Sequence, residues 1–204
     1  MRAIVLIPTY NERVNLVELV EKIRHFVPQL HILIIDDNSP DGTGKLADEL
    51  ARQDPERIFV LHRQEKQGLG KAYVDAFSRV LKDDYEYILQ MDADLSHDPL
   101  YLPRFFESIR DNDLVVGSRY LQGISVVNWD LKRLVLSKLA SRYVRFVTRM
   151  PLSDTTSGYM CWRKTALESL GFEDAFSIGY VFLVEMKYKA FRKGLRFGCL
   201  RRTS

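Results

Sequence analysis

Cysteine is scarce in this 204-residue chain: Cys161 and Cys199 are the two it has, and neither sits in a zinc-like spacing. That excludes a disulfide framework and fits a reducing, cytoplasmic setting. Long apolar runs are lacking as well. No window approaches roughly eighteen uncharged apolar residues, so no segment is expected to span a bilayer, and membrane contact should be peripheral. The apolar start, Ala3 to Pro8, is too short for the core of a signal peptide and reads as a strand. Nor does one sign of charge prevail. Lys and Arg number 30 against 27 Asp and Glu, and the resulting +3 is too little to argue for nucleic acid as a partner. No repeat, low-complexity tract or Pro/Ser-rich linker divides the chain, so one domain over residues 1–204 is expected.

What the chain does have is alternation. Apolar, β-branched runs at 3–9, 32–36, 58–61, 87–91 and 114–117 predict strands buried on both faces, as in a parallel sheet. Helical periodicity falls between them. Leu16, Leu19, Val20, Ile23 and Val27 make one apolar face; Leu69, Ala72, Tyr73, Ala76, Phe77 and Val80 make another. Asp98-Pro99 reads as an N-cap followed by Pro at the first helical position, opening a helix that buries Leu102, Phe105, Phe106 and Ile109. The expected architecture is α/β, a doubly wound, mainly parallel sheet with helices on both faces. Such sheets take their ligands beyond the carboxyl ends of the strands.

Three strand ends carry chemistry. The first ends in Pro8-Thr9-Tyr10-Asn11-Glu12, the second in Asp36-Asp37-Asn38-Ser39-Pro40-Asp41-Gly42-Thr43, the fourth in Asp92-Ala93-Asp94. Five acidic residues, Glu12, Asp36, Asp37, Asp92 and Asp94, are thereby expected on one edge, a cluster that repels itself unless a cation or donor groups intervene. Asp92 and Asp94 are the metal candidates: residues i and i+2 of an extended segment point the same way. Two hard oxygen ligands so placed suit Mg²⁺ or Mn²⁺ shared with substrate phosphates. Tyr10 can stack on a base and Asp37 can accept from base N–H groups, although Asp36 to Gly42 also has plain turn chemistry. Lys66-Gln67-Gly68-Leu69-Gly70-Lys71 enters a helix but lacks phosphate-loop spacing and reads as a plain loop.

Together these motifs resemble the inverting GT-A glycosyltransferases of family 2. Met91-Asp92-Ala93-Asp94-Leu95-Ser96-His97, Gly117-Ser118-Arg119-Tyr120, Asn128-Trp129-Asp130-Leu131-Lys132-Arg133, Asp154-Thr155-Thr156-Ser157-Gly158 and Gly179-Tyr180-Val181-Phe182 with Glu185 narrow the likeness. They are similar to the group of dolichyl-phosphate (polyprenyl-phosphate) mannosyltransferases that use GDP-mannose. The resemblance runs from about residue 3 to about residue 198 and implies a GT-A (nucleotide-diphospho-sugar transferase) fold. By it, Pro8, Tyr10, Glu12, Ile35 and Asp37 line the guanosine site, and Asp92, Ala93 and Asp94 meet the diphosphate and a Mg²⁺ or Mn²⁺ ion. Ser96 lies near the metal's remaining face, where some members carry Gln. Asp94, Arg119 and Arg133 are the implied catalytic residues, the two arginines holding phosphates of donor or acceptor. The implied partners are GDP-mannose, a polyprenyl or dolichyl phosphate, a membrane surface on its cytoplasmic face, and a small membrane-anchoring subunit; no nucleic acid is implied. A phosphate monoester is largely dianionic at neutral pH and needs little help from a general base. Fixed cations that let two anions meet are the greater need, and arginine's bidentate fork suits it.

Residues 130–149 read as a helix with six Lys or Arg against one Asp. Lys138, Arg142, Arg145 and Arg149 form a basic stripe beside an apolar one of Val135, Leu139, Tyr143 and Phe146. Two readings stand: a helix lying on anionic lipid, or a core-packed helix with a solvated face. At the other end, Gly198-Cys199-Leu200-Arg201-Arg202-Thr203-Ser204 departs from the family's acidic, apolar strand and basic loop, so the C-terminal end is expected to be truncated after about residue 198. The alternatives are a UDP-sugar-dependent polyprenyl-phosphate glucosyltransferase, or a truncated, non-catalytic nucleotide-sugar-binding subunit. A nucleotidyltransferase fits less well, because it would show a glycine-rich first strand-to-helix turn.

Overall fold

The structure is a computed structural model and describes residues 2–118, 139, 142–152, 154–175, 177 and 179–200. In chain order its elements are β1 (Ala3–Thr9), α1 (Arg13–Phe26), β2 (His31–Asp36), α2 (Thr43–Gln53), β3 (Ile58–His62), α3 (Leu69–Val80) and β4 (Tyr87–Gln90). A 3-10 turn at Pro99–Tyr101 leads into α4 (Leu102–Ser108), followed by β5 (Leu114–Gly117) and a helical stretch at 142–148, here α5. β6 (Met160–Arg163), α6 (Lys164–Glu168), α7 (Val181–Arg192) and β7 (Phe197–Leu200) complete it. The seven strands form one sheet in the order β3-β2-β1-β4-β6-β5-β7. β6 runs antiparallel to both β4 and β5, and every other pairing is parallel.

Period-two alternation divides each strand between two cores. Val5 and Ile7 of β1, with Ile32 and Ile34 of β2, face the side covered by α1, α2 and α4 through Leu16, Leu19, Ile23, Leu50 and Phe105. Ile4, Leu6, Leu33 and Ile35 face the other side, where α3 and α7 contribute Tyr73, Phe77, Phe182 and Met186. Each such side chain taken fully from water contributes roughly 1.5–3 kcal/mol, which is why strands without a polar face are stable here. Asp98 caps as expected, its carboxylate accepting from Leu100 N at 2.9 Å, but Pro99 starts a single 3-10 turn before α4.

The five expected strands are all present. Two more, β6 and β7, join them beyond the expected set. Strand β6 matters for function. Because it runs against its neighbours, its beginning shares an edge with the carboxyl ends of the parallel strands. Residues 154–159 are thereby delivered to the rim that carries Asp92 and Asp94.

Candidate active site

On that rim lies a cleft of about 340 Å³, lined by Pro8, Thr9, Tyr10, Glu12, Asp37, Asp92, Ala93 and Asp94, and by Lys66, Gly68, Leu69, Gly179 and Tyr180. Seven of the expected binding residues therefore meet in one place. Ile35 does not join them: it lies two residues before Asp37, within β2, and is fully buried on the α3 side of the sheet.

Asp36 and Asp37 divide sharply. The expectation that both carboxylates join the acidic edge holds for Asp37 alone. Asp36 is buried, accepting Ser39 Oγ at 2.6 Å and Ser39 N at 3.2 Å, with Thr9 Oγ1 at 3.4 Å. It organises the turn after β2. That turn is joined to the one after β1, since Thr43 Oγ1 accepts from Glu12 N at 3.0 Å and Asp41 accepts from Arg13 N at 3.3 Å. The Asp36 to Thr43 motif is thus turn chemistry and scaffold at once. Asp37, on the cleft side, receives Arg63 Nη1, while Arg63 Nε donates to Asp75 at 2.8 Å. Burial raises the Asp37 pKa and the Arg63 guanidinium opposes that rise. Arg63 follows β3 directly and is not among the expected site residues. A charged residue directly after an apolar strand was the available signal.

At the other end, Asp92 and Asp94 flank Ala93 on the cleft wall. Asp94 Oδ1 accepts Ser96 N at 3.0 Å. Between them Leu95 holds φ at +60°, a left-handed conformation that costs a branched residue roughly 1–2 kcal/mol. Ser96 itself is buried and does not line the cleft, so its visible contribution is the N–H that orients Asp94. Glu12 faces the same pair. Its carboxyl is raised first by desolvation and further by the charges of Asp94, Asp92 and Asp41, against a hydrogen bond from Asn15 at 2.9 Å. Among the described residues no group of three or more His, Cys, Asp or Glu side chains is arranged to hold an ion. Two carboxylates at an open cleft fit a hard cation that completes its shell with phosphate oxygens and water, rather than a closed protein cage.

The loop at 66–71 is more than a connector. Lys66, Gly68 and Leu69 line the cleft, and Gly68, with φ at +90°, opens α3 onto it. Lys66 Nζ lies 3.7 Å from the centroid of the Tyr10 ring, so a base stacking on that face must displace the ammonium. Arg119 and Arg133, the expected phosphate-holding cations, lie outside the described residues, as do Lys138 and Val135. Of the basic, amphipathic segment 130–149, residues 139 and 142–149 are described. Leu139, Tyr143 and Phe146 are 60%, 71% and 85% exposed, and Arg142, Arg145 and Arg149 are exposed beside them. These three apolar side chains are therefore not packed into the core.

A protein-family model described as "Glycosyl transferase family 2" matches residues 4–171. Among curated proteins, a polyprenol monophosphomannose synthase of Mycolicibacterium smegmatis is 46% identical over 95% of this chain and 73% of its own length. An undecaprenyl-phosphate mannosyltransferase of Micrococcus luteus is 42% identical over 96% of this chain and 80% of its own. A dolichol-phosphate mannosyltransferase of Pyrococcus furiosus is 35% identical over 93% and 53%. Among solved structures, glucosyl-3-phosphoglycerate synthase from Mycobacterium tuberculosis, with Mn²⁺, UDP and phosphoglyceric acid, superposes with a TM-score of 0.71 at 16% identity, covering 100% of this chain and 71% of that one. A Pyrobaculum calidifontis mannosyltransferase in complex with GDP-Man and Mn²⁺ gives 0.65 at 18% identity, covering 98% and 55%. These two likenesses speak to the fold.

Proposed function

Because this chain belongs to glycosyl transferase family 2, we propose that its cleft binds GDP-mannose and that the mannosyl group passes, with inversion, to a polyprenyl or dolichyl phosphate. The observation that carries this reading is the union, in one cleft, of a base acceptor and stacking ring, Asp37 and Tyr10, with the paired carboxylates Asp92 and Asp94. The printed names of the relatives at 46% and 42% identity supply the sugar and the acceptor class.

In this reading Pro8, Tyr10 and Asp37 seat the guanosine, with Arg63 restraining one Asp37 oxygen. Asp92 and Asp94 hold Mg²⁺ or Mn²⁺ together with the diphosphate. When bound, the cation neutralises charge that develops on the leaving group. The acceptor phosphate oxygen attacks the anomeric carbon from the face opposite the departing diphosphate, and the sugar–diphosphate bond breaks as the new bond forms. A largely dianionic phosphate brings its own nucleophilicity, so no side chain is assigned as general base. Asp94 is the catalytic carboxylate, and Arg119 and Arg133 are assigned to hold the phosphates, which keeps the two anions from repelling each other apart.

No helix among the described residues is long and apolar enough to cross a membrane. In this reading the lipid acceptor is met at a surface, and the exposed Tyr143 and Phe146 with Arg142, Arg145 and Arg149 suit an anionic leaflet, reached peripherally from the cytoplasmic side or through a small anchoring subunit. The test is a transfer assay with GDP-mannose and UDP-glucose crossed against short- and long-chain polyprenyl phosphates, with Mn²⁺, with Mg²⁺ and with chelator. Metal-dependent transfer from GDP-mannose supports the proposal. Transfer from UDP-glucose alone would reassign the sugar, and donor binding without any transfer would make the chain a binding subunit.

A further inference from the structure

His97 closes one of the motifs that resemble the family, and neither the spacing nor the proposed mechanism gives it a task. In the structure it is buried directly behind Asp92. Its Nδ1 accepts the backbone N–H of Asp92 at 2.9 Å. A ring nitrogen that accepts carries no proton, so the neutral ring bears its hydrogen on Nε2, and Nε2 lies 3.6 Å from Asp92 Oδ2. One imidazole thus meets both the main chain and the carboxylate of the same aspartate.

The ring is itself held. It stacks on Tyr159 with centroids 4.8 Å apart and planes 12° from parallel. Tyr159 packs against Phe105 and donates its hydroxyl to Asp98 O at 3.1 Å, closing a loop back to the segment that follows His97. The residue before Tyr159 is Gly158, where an added Cβ would stand 3.3 Å from Asp92 Oδ1 and 3.5 Å from His97 Cε1. Asp92 is therefore walled on one side by bare backbone and on another by the imidazole. This wall has its own anchors: Ser157 Oγ donates to Gly117 O at 2.6 Å, and the buried Lys187 Nζ donates to Thr155 O at 3.0 Å and Ser157 O at 2.6 Å.

We infer that His97 is a positioning residue for Asp92, fixing its main chain and carboxylate in the orientation that meets a divalent cation at the cleft. A carboxylate at an open rim is otherwise free to rotate, and ordering it before the ion arrives strengthens binding, as groups behind metal ligands generally do. The inference rests on the reading that Asp92 and Asp94 hold the cation, and the experiment separates the two.

The measurement is Mn²⁺ affinity of the full chain by titration calorimetry or electron paramagnetic resonance, with GDP present, for wild type, Asp92→Asn, His97→Phe and His97→Asn. Phenylalanine keeps the stacked ring and removes both nitrogens; asparagine gives up the ring and keeps an acceptor oxygen close to the place of Nδ1. Expected are loss of Mn²⁺ binding in Asp92→Asn, a weakening of about 10-fold or more in His97→Phe, and a smaller loss in His97→Asn. In turnover, His97→Phe should raise the Mn²⁺ concentration for half-maximal rate more than it lowers kcat. Wild-type affinity in His97→Phe beside a dead Asp92→Asn overturns the role of His97 and leaves the metal reading standing. Undiminished affinity in Asp92→Asn overturns both. Should His97→Phe fail to fold, His97→Gln replaces it, since its amide reaches toward the Nε2 position instead. Binding in the order Asn above Gln supports the inference, and the reverse order or equality refutes it.

Discussion

Replacing Arg63 by methionine keeps much of the length of the side chain and deletes every donor that reaches Asp37, Asp75 and Gln67. The two carboxylates do not weigh equally. Arg63 and Asp37 have side chains only 6% and 9% exposed, whereas that of Asp75 is 51% exposed. Stripping one partner from a buried pair costs about 3–5 kcal/mol, and Asp37 borders a cleft, which puts it at the lower end. The Asp75 contact adds less than about 1 kcal/mol. Arg63→Met is therefore expected to lose about 3 kcal/mol at neutral pH. Asp37→Asn should lose less, and the double variant about 2 kcal/mol less than the sum. The sign with pH follows from the carboxyl. Its folded pKa already lies above the usual 3.8 because of burial, and removing the guanidinium raises it further. A raised acid stabilises the fold fully below its unfolded value and loses that contribution as pH rises through the folded value. The gap between wild type and Arg63→Met should thus be smallest in acid and widen toward neutrality. Urea denaturation at a series of values between about pH 4 and about pH 8, followed by tryptophan fluorescence, measures it. Additive single variants with a gap that ignores pH would refute the pairing. GDP-mannose should also bind more weakly to Arg63→Met, because Asp37 loses the group that orients it.

Three further outcomes are expected. Asp94→Ala should abolish metal-dependent transfer and leave the unfolding midpoint within a few degrees of wild type, since its side chain lines an open cleft; a transfer assay and a melt check both halves. Glu12, raised by burial and by Asp94 and Asp92, should make the wild type lose stability relative to Glu12→Gln as pH rises from below 4.5 through the folded value, and a melt series should find this gap narrowed by added Mn²⁺. Tyr143→Ser with Phe146→Ser should lose co-sedimentation with anionic vesicles while unfolding free energy stays within about 0.5 kcal/mol, because both rings are exposed.

The strands with both faces buried were the most legible part of the fold. Ala3–Thr9 and its parallel neighbours each carry an apolar run long enough to stand out, and the period-3.6 faces of α1 and α3 lie between them. β6 escaped because an antiparallel partner inserted between β4 and β5 is a tertiary fact with no local signature. β7, Phe197–Leu200, is interrupted by a glycine. At the site, residue type and strand-end position brought out Tyr10, Glu12, Asp37, Asp92 and Asp94. Asp36, one residue before Asp37, turns to hold the loop after β2, and Ile35, two residues deeper in the strand, is core. Arg63, Lys66 and His97 act through neighbours distant in sequence or across a turn, so composition alone could not single them out.

The antiparallel course of β6 has a consequence for how such a catalytic rim can be varied. The chain leaves the sheet after Gly117 and comes back at Ser157, where Gly117 N donates to Tyr159 O at 2.9 Å and Ser157 Oγ returns a bond to Gly117 O. The two ends of the intervening segment are thus tied together at the sheet. For a flexible stretch, doubling the length of such a segment costs only about 0.6 kcal/mol in closure entropy. Added length within it is therefore cheap in closure entropy, whereas a change at the pinch, Ser157 above all, is felt at once by the sheet and by the aspartate behind it.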